Sequence, residues 1–151
     1  MNMTLNELMV KHNFISKIKF AEGDSTLSKD LRVKIMGMRI EYGKVRKQFE
    51  DDLKQFTETL TTDELKELAA KPDKTPEEEK KVEEASKQIT DDYNEYVNKR
   101  GLEEVNVKEL SLTEDDYNQI VECNSLDEVE INGTKISAPD FLEVIYSLFV
   151  E

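Results

Sequence analysis

From Leu27 to Leu60 the chain places an apolar or aromatic residue at every third or fourth position: Leu27, Leu31, Ile35, Met38, Tyr42, Val45, Phe49, Leu53, Phe56 and Leu60. Steps of three and four average close to the 3.6-residue turn, so the pattern predicts one amphipathic helix over about 27–60, about 50 Å long. Val33, Met36 and Ile40 widen the apolar stripe in the first half only. That half is therefore expected to be covered on two sides, while the second half carries the narrow seam of a helix pair. Gly37 and Gly43 sit inside this helix, each costing about 1 kcal/mol of propensity relative to alanine. They predict either a close approach by another segment or a kink.

A second periodic stretch begins at Thr75-Pro76-Glu77-Glu78, an N-cap, a proline at the first turn and a glutamate at the capping-box position. Its ladder is Val82, Ala85, Ile89, Tyr93, Tyr96 and Val97, and Gly101 suits a left-handed C-cap. A helix over about 76–99, about 36 Å long, is expected to return antiparallel along the first. Residues 61–74 read as a short capped turn that stops before Pro72. Ahead of the long helix, Thr4 and Glu7 form a capping box for a short helix near 5–13, and the period is then lost up to a Gly-Asp-Ser turn cluster.

After Gly101 the period changes again. Val105 and Val107 alternate with polar residues, and Leu110 and Leu112 follow out of phase, which reads as extended chain. Thr113 and Asp116 cap a short helix, Asn132-Gly133 marks a tight hairpin, and Ser137 starts a final helix. The expected class is mainly α with a small α+β part. It is a long αα-hairpin (27–60 and 76–99) followed by a strand, a short helix, a β-hairpin and a C-terminal helix. The 151 residues are expected to form a single domain, with a hairpin arm over 1–101 and a compact α+β piece over 102–151.

Charge changes this picture at one place. Residues 31–47 hold Arg32, Lys34, Arg39, Lys44, Arg46 and Lys47 against the single acid Glu41, a local +5 in a chain of net −13. Arg32, Arg39 and Arg46 are seven apart and share one side of the helix. Either the stripe pairs with the chain's own acids, such as Glu83, Glu84 or Asp91, or it receives an anionic partner. In the second case Arg32, Arg39, Lys44, Arg46 and Lys47 are the candidate binding residues, with Tyr42 or Tyr93 available to stack on a base. The C-terminal helix has more apolar positions than one face needs. Phe141, Val144, Ile145, Tyr146, Leu148 and Phe149 are therefore candidate interface residues, the alternative being that they plug the α+β core.

Little in the sequence points to chemistry. His12 is the only histidine and Cys123 the only cysteine, so neither a zinc ligand set nor a cysteine–histidine pair is assembled from them. The acidic clusters at 113–116 and 90–92 lack EF-hand spacing and suit helix starts and solvated faces. No catalytic residue, metal site or cofactor is expected. Strong acidity argues against direct binding to nucleic acid or anionic membranes, and no apolar stretch approaches the twenty residues of a membrane span. A single cysteine and the absence of a signal-peptide pattern suit a cytoplasmic setting.

In the order of its parts the chain resembles a family of small bacteriophage proteins of unknown function encoded among virion and tail genes. "LSKDLRVKIMGMRIEYGKVRKQFEDDL" matches their basic–apolar opening of a long hairpin, and "EVNVKELSLTEDD" with "SAPDFLEVI" matches a small acidic C-terminal piece. The resemblance implies a phage-encoded protein of the host cytoplasm or the virion that binds a partner. The leading expectation is a non-enzymatic interaction protein, self-associating or part of a larger assembly. The alternatives are an anti-defence protein that sequesters a nucleotide-like anion on the arginine stripe, or one that blocks a basic host protein with its acidic faces.

Overall fold

The computed structural model describes residues 2–108 and 111–151. Leu110, expected in an extended run, lies outside the described residues. The elements in order are β1 (Asn2–Thr4), α1 (Leu5–Ile15), β2 (Ala21–Glu22), β3 (Ser25–Thr26), α2 (Lys29–Leu60), α3 (Asp63–Ala70), α4 (Pro76–Leu102), β4 (Glu104–Asn106), α5 (Glu114–Cys123), β5 (Val129–Ile131), β6 (Thr134–Ile136) and α6 (Ala138–Phe149). This is the mainly helical architecture with a small α+β part that the periodicity predicts, long helices included.

The chain divides into two compact units, Met1–Arg46 with Glu104–Glu151, and Lys47–Glu103. The first 46 residues thus group with the C-terminal piece and not with the hairpin. The reason is local to the first unit: β1 pairs antiparallel with β4, Met3 opposite Val105, which ties the N-terminus to the chain just beyond α4. Leu8, Ile15, Leu31, Ile35, Met38, Tyr42, Ile120, Phe141 and Ile145 form its core, each essentially inaccessible to solvent. Burial of one such side chain stabilises by about 1.5–3 kcal/mol, so this cluster dominates the stability of the unit. Leu112 joins it through its amide, which donates to the Phe149 carbonyl at 2.8 Å.

Caps fix where the helices start. Thr4 with Glu7, Thr75 with Glu78 and Thr113 with Asp116 form reciprocal capping boxes, and the Ser137 hydroxyl accepts from the Asp140 amide. Asn132 (φ 51°) and Gly133 (φ 79°) turn the β5–β6 hairpin through left-handed backbone. Gly101 departs from expectation. It lies buried within α4, which runs on to Leu102 and is capped by Glu103 in extended conformation.

The second unit is a helix pair with a thin seam. Phe56 stacks on Tyr96 at 4.1 Å between centroids, and Arg100 lies over Phe49 at 5.4 Å while donating to Asp52 at 3.0 Å. Residues 49, 52 and 56 thus meet 100 and 96, the antiparallel order of an αα-hairpin. Only Phe49 and Gly101 in this unit are buried, and the rest of its apolar ladder is half-covered apart from the exposed Tyr93.

Candidate functional site

The basic segment 31–47 lies on α2, and the structure separates its cations into two groups. Arg39 turns toward the C-terminal end of α1. Its Nε donates to the Ile15 carbonyl at 3.0 Å, its Nη2 to the Ile18 carbonyl at 2.6 Å, and its guanidinium lies 4.7 Å from the centroid of Phe20. The last carbonyls of a helix have no partner within it and carry the negative end of its dipole, so a half-buried cation is well placed there. Burial lowers the Arg39 pKa from its ordinary value, and the guanidinium remains charged. Arg46 donates to the Asn13 side chain and lies 3.3 Å from His12 Nδ1. Lys34, on the other flank of α2, pairs with Asp116 at 2.9 Å.

Arg39 and Arg46 are therefore fastened to α1, while Lys34 pairs with one of the chain's own acids, Asp116. The partners found for Arg39 are backbone carbonyls, whereas Glu83, Glu84 and Asp91 are exposed on α4. Nor do the three arginines form one open anion-binding row, since only Arg32 of the three stays exposed. Lys44 and Lys47 are also exposed. Tyr42 is 1% accessible in the core, so it does not stack on a ligand, and Tyr93 lies on α4 in the other unit.

Opposite the core-facing side of α2 runs a second apolar stripe. Val33, Met36 and Ile40 are 64%, 40% and 54% accessible, although their pattern predicts a covered face. They line a groove of about 610 Å³ together with Phe20, Gly37 and the flanking Lys29 and Arg32. The positions follow from helical geometry. Lys29, Val33, Gly37, Ile40 and Lys44 fall at steps of four, four, three and four, half a turn away from Leu31, Ile35, Met38 and Tyr42. Arg39 sets one wall of this groove indirectly, because its guanidinium holds the Phe20 ring. Gly43, by contrast, meets α1: a Cβ built there would lie 3.5 Å from His12 Nε2.

The C-terminal candidates resolve toward the core alternative. Phe141, Ile145 and Phe149 are buried in the first unit, and Val144 and Leu148 are half-buried. Tyr146 is exposed, yet its hydroxyl donates to Glu114 at 2.6 Å and its ring meets Tyr117 edge-on at 5.0 Å. A helix with apolar residues on nearly all sides is accommodated because α1 packs on one side of it and residue 112 bridges to its end. The docking surface expected on this helix is thus not formed by Phe141, Ile145 or Phe149.

Cys123 is buried, and desolvation raises its thiol pKa, with Glu122 and Glu22 adding to the shift. Two of the 113–116 acids are engaged within the unit. Asp116 caps α5 and pairs with Lys34, and Glu114 accepts from Tyr146. Among the described residues no group of three or more histidine, cysteine or acidic side chains converges as a metal ligand set would, and no helix is long and apolar enough to cross a membrane. Comparison with protein-family models, curated proteins and solved structures finds no match to this chain.

Proposed function

We propose that this chain is a non-enzymatic interaction protein that receives a protein partner on the outer face of α2 within a larger assembly. The observation that carries this is the row Val33, Met36 and Ile40, left open on the side of the helix away from a well-packed core. Contiguous exposed apolar side chains with charged neighbours mark association surfaces, and Gly37 at the centre lets a partner backbone come close. The resemblance to virion- and tail-associated phage proteins supports an assembly setting. The nucleotide-sequestering alternative loses support because Arg39 and Arg46 are engaged with α1 and Tyr42 is in the core.

Site-specific photo-cross-linking tests the proposal. A photoreactive residue at Val33 should yield a discrete cross-linked product in the cells that make the protein, and one at the exposed Lys135 of β6 should not. No discrete product at Val33, or equal products at both positions, would overturn it.

A further inference from the structure

We infer that the occupant of the α2 groove is an amphipathic helix of a different protein, apolar along its centre and acidic at both ends. This rests on the docking reading above and goes on to name the partner's chemistry. The stripe is ordered along α2 as cation, apolar centre, cation: Lys29 and Arg32, then Val33, Met36, Gly37 and Ile40, then Lys44. Among the described residues no ion pair or side-chain hydrogen bond engages Lys29, Arg32 or Lys44, whereas Lys34 and Arg39 are tied down. Two acids lie within residues 29–44: Glu41 accepts from the Lys108 amide at 2.7 Å, and Asp30 is exposed in the first turn of α2 between Lys29 and Arg32. The stripe therefore keeps a net positive charge at each end, Lys29 and Arg32 outnumbering Asp30 at one and Lys44 standing at the other.

That order disfavours a second copy of this chain. Two copies set face to face with apolar centres aligned place like charges together in either direction. Antiparallel helices bring Lys29 and Arg32 against the copy's Lys44, and parallel helices bring each cation against its own twin. Juxtaposed like charges suppress such a pairing and fix register in the pairing that avoids it. A partner with carboxylates at both ends gains from the same positions.

Spacing sets the partner's length. Lys29 and Lys44 are about 22 Å apart along the helix axis, so about 16 helical residues reach from one end to the other. Apolar anchors at three- and four-residue steps would rest on Val33, Met36 and Ile40 beside Phe20, with a small residue or backbone ridge over Gly37, as in helix-in-groove recognition. The rest of the chain is strongly acidic, so a generally anionic partner is repelled at long range, and binding depends on acids placed at the two ends.

The test uses the full chain and two synthetic helical peptides of about 16 residues that share one leucine stripe. One carries glutamates at both ends and the other lysines. Affinity is measured by fluorescence anisotropy at low and moderate salt, and the mass of the chain alone by light scattering. The glutamate-ended peptide is expected to bind about tenfold or more tightly than the lysine-ended one, with the preference shrinking as salt rises. Ile40→Glu should abolish binding, and the triple variant Lys29→Glu, Arg32→Glu, Lys44→Glu should reverse the preference. Equal binding of both peptides that is still lost in Ile40→Glu would overturn the acidic-helix inference and leave the docking face standing. A stable oligomer of the chain alone that Ile40→Glu dissociates would overturn it in favour of a second copy. No binding of either peptide by a monomeric chain would overturn the inference and the docking reading together.

Discussion

Replacing Arg39 by methionine keeps the aliphatic stem and removes the guanidinium, which isolates what the cation does for the end of α1. Two hydrogen bonds from a charged donor are lost, at 3.0 Å to Ile15 and 2.6 Å to Ile18, together with the contact over Phe20. Charged hydrogen bonds contribute about 1.5–3 kcal/mol each, and a cation over a ring about 0.5–1 kcal/mol. The full sum overstates the loss, because the Ile15 carbonyl still accepts from the Ile18 amide and water reaches this half-buried site. A net destabilisation of about 2–3 kcal/mol is expected. With a urea m-value of about 2 kcal/mol/M, the midpoint of the first unit should fall by about 1–1.5 M. Unfolding followed by circular dichroism measures this, and hydrogen exchange over residues 13–20 localises it by a matching loss of protection. Arg39→Lys should recover part of the loss, since an ammonium reaches one carbonyl but lacks the planar fork. A change below about 0.5 kcal/mol with unaltered exchange at 13–20 would mean that the guanidinium does not hold the end of α1 and would return Arg39 to the candidate anion-binding residues.

Other outcomes follow from the same structure. Asn124→Ala should cost about 2–4 kcal/mol in urea unfolding, because the buried amide accepts from the Lys19 amide and donates to the Lys19 and Ile120 carbonyls. Gly43→Ala should raise the thermal midpoint, gaining up to about 1 kcal/mol of helix propensity, since the new Cβ meets His12 only at ordinary contact distance. The Asp116 carboxyl is subject to burial, which raises its pKa, but the Thr113 amide and Lys34 outweigh this and hold it below its ordinary value. Its contribution to stability is thus complete at neutral pH and is lost as pH falls through the carboxylate range toward the folded value, and Asp116→Asn should flatten that part of the stability–pH profile. Ile40→Glu should leave the urea midpoint within the scatter of surface substitutions, about 0.5 kcal/mol, because the side chain already faces solvent.

The long helices and their starts were legible because local rules determine them. Steps of three and four marked α2 and α4, threonine caps marked α1, α4 and α5, and Asn132-Gly133 marked the hairpin. The C-terminal end of α4 was not, since burial of Gly101 inside the helix depends on packing and not on its left-handed capacity. The β1–β4 pairing was also hidden, as it joins three-residue strands about a hundred residues apart in sequence. For the site, spacing put Arg32, Arg39 and Arg46 on one side of α2 correctly. It did not show that the Ile15 and Ile18 carbonyls, at and just past the end of α1, would take up Arg39, because those partners are backbone and carry no sequence signature. Val33, Met36 and Ile40 were visible as a widened stripe. Periodicity shows which residues share a face, but whether another element covers that face is decided by tertiary packing.

Docking of a partner on the outer face of α2 is read out by mapping amide chemical shifts of the labelled full chain during titration with the glutamate-ended helical peptide. Shifts are expected to concentrate at residues 29–44 of α2 and around Phe20, saturating together and absent in Ile40→Glu. Shifts confined to the 47–103 hairpin, or to the acidic faces of α4, would contradict docking on that face.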